Sequence, residues 1–144
     1  ARLMQAFFKS DPISEADQSA IREHLSGELA ALKLACESFH PTVLIGSAGA
    51  FETFAILLQK DLDITNIAST AISVEGYNGL AAQLLASTHE ERTQIEGLIP
   101  LRVDMIVMAV LLTNYVLEEI RPDKIWLSTY DLKMGVLNSL LQKV

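Results

Sequence analysis

Cysteine is almost absent from this sequence. The single Cys36 has no partner for an internal disulfide, so a reducing, cytoplasmic setting is expected. Basic residues are scarce as well. Eleven Lys and Arg stand against 18 Asp and Glu, giving a net charge of −7 and a pI of about 4.8. A general binder of nucleic acid or of anionic membrane carries the opposite sign, so neither partner is expected, and any polyanion site must be a local cluster. The longest apolar run, 105–112, falls well short of the ~20 residues that span a bilayer. No signal peptide is read. Metal-ligand spacings are also missing. His24, His40 and His89 are scattered, His89-Glu90-Glu91 has no second histidine four residues on, and Asp61 and Asp63 lack the further oxygens of a calcium loop. The histidines are read as exposed side chains.

What is present is ample core material. Half of the 144 residues are hydrophobic and 20% are charged, the balance of one folded domain. The opening Ala1-Arg2-Leu3-Met4 is unlike a natural start, and a piece of a longer protein is expected.

One stretch organises the rest. The β-branched run Thr42-Val43-Leu44-Ile45 meets Gly46-Ser47-Ala48-Gly49, and a helical repeat follows at Phe51, Phe54, Ala55 and Leu58. Glycines between a buried strand and a helix allow a tight turn and close approach of a ligand. The first free N–H groups of the helix then face into the turn, where an anion is favoured. Taken alone, a Gly-x-x-Gly of this kind also serves simply as a well-packed corner.

The remaining elements follow from caps and periodicity. After an apolar lead-in over 1–9, Ser14 with Asp17 opens a long helix read over 15–38, its stripe running Ile21, Leu25, Leu29, Leu32, Cys36, Phe39. His40-Pro41 ends it. Residues 61–70 read as a polar loop. Ser73 caps a helix with Tyr77, Leu80 and Leu84 on one face, and Thr88 with Glu91 opens a short helix closed by Gly97. Pro100 introduces the most buried helix, read over 101–120, its methionines taken as core filler. Lys124-Ile125-Trp126-Leu127-Ser128 reads as a second strand with Trp126 in the core, and a last helix places Leu132, Val136, Leu140 and Leu141 inward. Long helical crossovers make the two strands parallel and members of one sheet in an α/β fold. Two strands do not make a stable sheet, so strands from elsewhere are expected to join them.

Four stretches in this order carry a resemblance: Gly46-Ser47-Ala48-Gly49-Ala50 after a strand; Glu91-Arg92 with Gly97-Leu98 and Arg102-Val103-Asp104; the apolar helix that follows; and Leu127-Ser128-Thr129-Tyr130-Asp131-Leu132-Lys133-Met134-Gly135-Val136-Leu137. Together they resemble the Ppx/GppA phosphatases, the exopolyphosphatase and guanosine pentaphosphate phosphohydrolase family. The resemblance implies an RNase H-like half-domain of the actin/sugar kinase/Hsp70 superfamily, a few parallel strands packed by several helices. Residues 1–144 would form a single domain fragment, the later part of the second domain. The phosphate loops, the catalytic glutamate and a Mg2+ site would lie upstream, with no cofactor expected in this piece.

The implied ligand contacts are Gly46, Ser47, Ala48, Gly49, Ala50, Arg102 and Lys133. The implied ligand is polyphosphate or a guanosine polyphosphate, and no catalytic residue is assigned here. Family members often carry threonine where Ala50 stands and Gly-Leu-Arg-Glu-Gly where residues 131–135 stand. Lys133 keeps a charge but not arginine's planar fork. Two functions follow. One is a fragment, inactive by itself, of a phosphohydrolase that releases terminal phosphate. The other is a catalytically degenerate ligand-binding or dimerisation module of the same fold. Sheet edges left open predict association with the upstream domain and a homodimer. Arg92 is read as structural, Arg102 equally as ligand contact or surface ion pair, and Asp104 as a first-turn acid.

Overall fold

A computed structural model describes residues 2–142; Ala1, Lys143 and Val144, the ends of the expected single domain, lie outside the described residues. Helix α1 spans Arg2–Phe7, from within the apolar lead-in. Ser14 then caps α2, Glu15–Glu28, its hydroxyl accepting the Asp17 N–H at 3.1 Å. The expected single helix is in fact two. Leu29 leaves helical geometry at φ −104°, ψ 17°, two residues after Gly27, and α3 runs Ala30–Phe39. Glycine weakens a helix interior, and the stripe divides with it. Ile21 and Leu25 are buried and α2 packs against α7 (Met105–Ile120), whereas Phe39 is 80% exposed. His40, in left-handed geometry, ends α3 before Pro41.

The sheet has three strands in the order β1-β3-β2. Strand β1, Val43–Ser47, lies parallel to β3, Lys124–Ser128, with Val43 opposite Lys124 and Ser47 opposite Ser128. That parallel pair is the expected one. A third strand was not expected: β2, Ser69–Ile72, takes the end of the presumed loop and pairs antiparallel with β3, which makes the sheet mixed. Its four residues Ser-Thr-Ala-Ile bury one apolar side chain, Ile72, too little alternation to mark a strand.

One face of the sheet carries the core. Helix α4, Gly49–Leu58, lies across all three strands and sets Phe54 and Ala55 against Ile72, Ile125 and Leu127. Helix α5, Val74–Ala86, starts at its Ser73 cap and packs on α4 and α7. Phe51, Phe54 and Tyr77 form an edge-to-face series with centroids 5.7 and 5.2 Å apart. The Tyr77 hydroxyl donates to Asn114 Oδ1 at 2.9 Å, and burial pushes its pKa up. Thr88 and Glu91 complete a reciprocal capping box on α6, His89–Thr93. The chain then passes through a 3-10 turn, Pro100–Arg102, into α7, which starts later than residue 101.

The other face of the sheet is bare. Val43, Ile45 and Trp126 point out of the core, and Trp126 is 38% exposed, against the expected burial. The last helix, α8, Leu132–Leu141, also reverses expectation. Leu132, Val136, Leu140 and Leu141 are exposed, and α8 has no buried residue. Cys36 is buried, as a small hydrophobe in that stripe should be.

Candidate anion-binding site

The turn between β1 and α4 is shaped by close approach. Gly46 is buried at the inner face, and the Phe51 ring covers it so tightly that a Cβ there would stand 2.0 Å from Phe51 Cγ. Two residues on, Ala48 holds φ 59°, ψ 175°, a region that side chains other than glycine's rarely adopt, and Gly49 follows at φ 40°. These dihedrals swing the chain into α4 within two residues. The Phe51 N–H closes the turn on Ala48 O at 3.2 Å, and Thr53 Oγ1 donates to Gly49 O at 3.1 Å. The N–H groups of Gly49 and Ala50 are the first of the helix and have no acceptor within it. They carry the positive end of the helix dipole into the turn. Backbone strain of Ala48's kind costs ~1–3 kcal/mol. Ala48→Gly is therefore expected to stabilise the fold by about 1 kcal/mol after the entropic cost of glycine, read as a higher denaturant midpoint. A lower midpoint would show the turn unstrained.

Arg102 comes to this turn from the far side of the chain. It ends the 3-10 turn, its N–H bonded to Ile99 O at 2.8 Å. Its guanidinium lies against Gly49, where a Cβ would stand 2.9 Å from Nη1 and 3.3 Å from Nη2. Among the described residues it pairs with no carboxylate and donates no side-chain hydrogen bond. A half-buried, unpaired guanidinium against Gly49, beside two free helix N–H groups of the same turn, brings several donors together. Such a set suits the oxygens of an anion.

Arg92 holds the segment that delivers Arg102. It is fully buried. Nε donates to Val103 O at 2.9 Å, Nη1 to Ser87 O, and Nη2 to Asp11 Oδ1 at 2.9 Å. Val103 is the next residue after Arg102, so this guanidinium joins the linker between α1 and α2, the end of α5 and the approach to α7. Asp11 also accepts the His89 N–H at 2.6 Å. Partial burial works to raise the Asp11 pKa, but the His89 N–H and the Arg92 guanidinium outweigh it and hold the carboxyl below its usual value. The structural reading of Arg92 is correct, and its reach extends well beyond the short helix. Asp104 stands at the N-cap of α7 but its side chain makes no capping bond; its carboxylate meets His89 Nδ1 at 2.6 Å in an exposed pair.

An apolar pocket of about 310 Å³ adjoins the turn, walled by Leu3, Met4, Ala50, Arg102, Met105 and Met108. Met108 is buried, but Met105 is exposed at the pocket, so the reading as core filler fits only the former. Nothing in the helical period separates the two, because an all-apolar helix gives no sign of which face meets a pocket. Of the residues expected at the ligand, the structure brings Gly46 to Ala50 and Arg102 together. Lys133 is engaged elsewhere: its ammonium lies 3.0 Å from Asp131 Oδ2 on exposed α8. Asp131 caps α8, accepting the Met134 N–H at 3.1 Å, and that bond, with the Lys133 charge, lowers its pKa. Among the described residues no three His, Cys, Asp or Glu side chains gather to hold a metal. The donors at the turn are N–H groups and a cation, chemistry unsuited to Mg2+.

A strand, a glycine corner and a helix N-terminus with an unpaired guanidinium beside it define an α/β domain with a set of donors at the carboxyl end of a strand. More particularly, the chain belongs to the Ppx/GppA phosphatase family, whose family model matches residues 1–144. Among solved structures it is similar to an exopolyphosphatase from Cytophaga hutchinsonii, with 37% identity and a TM-score of 0.90 over 99% of this chain and 47% of that one. It is also similar to the Aquifex aeolicus member of the Ppx/GppA family, with 23% identity and a TM-score of 0.81 over 99% of this chain and 46% of that one, a likeness of fold. No curated protein matches the chain. The chain thus spans about half the length of the solved structures it matches.

Proposed function

We propose that this chain is the C-terminal half of a phosphohydrolase of the exopolyphosphatase type, acting on the terminal phosphate of polyphosphate or of a guanosine penta- or tetraphosphate. In that reaction water attacks the terminal phosphorus, the bridging P–O bond breaks, and the shortened chain leaves with the bridging oxygen. The observation that carries the reading is the unpaired Arg102 guanidinium lying on the Gly49 turn. Together with the Gly49 and Ala50 N–H groups it would bind and orient phosphate oxygens and take up charge as it shifts to the leaving oxygen. Gly46, Ser47 and Ala48 would line the approach, and Lys133 would release Asp131 to reach the ligand. Mg2+, when bound, supplies further charge neutralisation. Its carboxylate ligands, and the base that orients water, would come from the upstream domain, across a cleft of the actin-like kind. The half alone would be inactive, and the whole protein cytoplasmic.

The second reading, a phosphate-binding or dimerisation module without turnover, is favoured by Lys133 being held by Asp131. The test is phosphate release by the full-length protein with Mg2+ and each substrate, Arg102→Ala beside wild type. The expected result is a loss of about tenfold or more in kcat/KM with the melting midpoint unchanged, the scale of one charge-assisted contact. Release unaltered in the variant removes Arg102 from the site. No release by the wild type, folded and with Mg2+, leaves the binding module.

A further inference from the structure

We propose that His89 and Asp104 form a positioning pair for Arg102: the histidine ring holds the segment that carries the guanidinium onto the Gly49 turn, and holds it more tightly when the ring is charged. The proposal deepens the reading of Arg102 as the cation that meets the ligand, and rests on it.

Arg102, Val103 and Asp104 run from the 3-10 turn to the start of α7. The Arg102 guanidinium lies against Gly49, and the two residues after it are each gripped from α6. Arg92 Nε donates to Val103 O at 2.9 Å, and His89 Nδ1 meets Asp104 Oδ1 at 2.6 Å. The Arg92 grip is buried and fixed in charge. The His89 grip is neither. The side chains of the pair are 55% and 42% exposed, so the ring exchanges its proton with solvent. Asp104 gives up a local role to make this pair. It stands at the N-cap of α7, where an aspartate usually accepts an N–H of the first turn. Its backbone is helical instead, at φ −87°, ψ −35°, and its side chain makes no such bond. The carboxylate reaches to a ring 15 positions earlier in the chain. That ring is itself anchored, because the His89 N–H donates to Asp11 Oδ2 at 2.6 Å while Asp11 Oδ1 accepts from Arg92. A tether two residues from a guanidinium, fixed at both ends, has the means to set where that guanidinium lies.

A carboxylate only accepts, so Nδ1 carries a proton toward Asp104 in both charge states of the ring. Charging the ring turns this hydrogen bond into an ion pair. The other charged groups about the pair are Asp11 from the linker before α2, Arg92 with Nη2 3.9 Å from Asp104, and Glu90 and Glu91 on α6, with Glu91 turned back to the Thr88 N–H. Histidine changes charge between about pH 5 and pH 8, which puts the change in tether strength in that window.

The test follows binding of an imido-bridged tripolyphosphate, which resists hydrolysis, to the full-length protein with Mg2+ by titration calorimetry. Arg102→Ala is the reference for loss of the cation. His89→Ala and Asp104→Ala should each weaken binding about threefold, the scale of one exposed charge-assisted bond, with the melting midpoint close to wild type. In the Arg102→Ala background neither should weaken it further, the mark of residues that act through Arg102. His89→Asn keeps a neutral donor. It should bind as wild type does above about pH 8 and about threefold more weakly below about pH 5.5, a ratio from which the ligand's own titration cancels. Losses that persist without Arg102, Ala variants that bind like wild type, or a ratio that stays flat between about pH 5 and pH 8 overturn the proposal while leaving Arg102 in the site. Arg102→Ala binding like wild type removes Arg102 from the site and the proposal with it.

Discussion

Arg92→Ala is expected to destabilise the fold by about 3–5 kcal/mol, since it empties a fully buried site and leaves two carbonyl groups without their donors. The total stability of a domain is only ~5–15 kcal/mol, so the variant should lose a third or more of it. The loss is large because three partners are stranded at once. Val103 O and Ser87 O lose their donors, and Asp11 loses the cation that faces it. The Phe8 ring loses the guanidinium lying 5.9 Å from its centroid. Arg92→Lys should recover less than half, since one ammonium cannot serve three acceptors spread around a planar fork. Asp11→Asn should cost less than Arg92→Ala because Asp11 is partly in solvent, where ion pairs are screened. The pH dependence follows from the depressed Asp11 carboxyl. A group whose folded pKa lies below its unfolded value stabilises fully above the latter, ~3.9, and loses that contribution as pH falls through the folded value. Asp11→Asn should therefore flatten part of the acid-induced loss of stability below about pH 4. Urea denaturation followed by circular dichroism reads all three variants. An Arg92→Ala midpoint close to wild type would mean that the linker, α5 and the approach to α7 are held by packing alone.

Local chemistry is what sequence displays, and the parts of this fold made by local chemistry were legible. Ser73, Thr88 and Pro100 mark helix starts because their side chains or rings act within four residues. The two parallel strands show as β-branched runs between breakers. Strand β2 escaped because a short edge strand with a single buried residue has no period to read. The outward Trp126 and Ile45 escaped for another reason. A parallel strand is apolar on both sides, so its sequence does not say which side the helices of this chain cover. The same holds for α8, whose apolar residues meet no core among the described residues.

The site was half legible. The Gly46–Ala50 corner is visible as a strand, two glycines and a helix. That Arg102 lies upon it is a contact across 53 positions of sequence, reached only through the Arg92 tie to Val103. No spacing rule brings Asp11 to Arg92 across 81 positions. The capping box of Thr88 and Glu91 does place Arg92 on the following turn, but its burial depends on Phe8 and Asp11 arriving from the other end of the chain. Ala48 at positive φ was likewise hidden, since alanine is the residue least expected there.

Gly46→Ala is expected to cost about 2–3 kcal/mol, and the reason lies in which atom it meets. The new Cβ would stand 2.0 Å from Phe51 Cγ and 2.2 and 2.3 Å from the two Cδ atoms. Cγ is the root of the ring, so a small rotation of a flexible tip cannot make room; either the ring leaves its rotamer or β1 moves off α4. Both are expensive. The ring packs edge-on to Phe54, which is fully buried and in turn packs on Tyr77. Displacing β1 would disturb its register with β3. Overpacking a dense core costs ~1–3 kcal/mol, and this contact is tighter than most. The double variant Gly46→Ala with Phe51→Leu isolates the cause. Phe51→Leu alone should cost about 1–2 kcal/mol for lost aromatic packing. Added to Gly46→Ala it should cost less than the sum by at least ~1 kcal/mol, because the branched aliphatic chain vacates the space the ring held. Strict additivity would place the strain in the Ala48–Gly49 backbone instead of under the ring. The same variants bear on the site: Phe51 is the third residue of α4, and its N–H closes the turn on Ala48 O. Gly46→Ala should therefore weaken anion binding at the turn as well as stability, and Phe51→Leu should restore part of both.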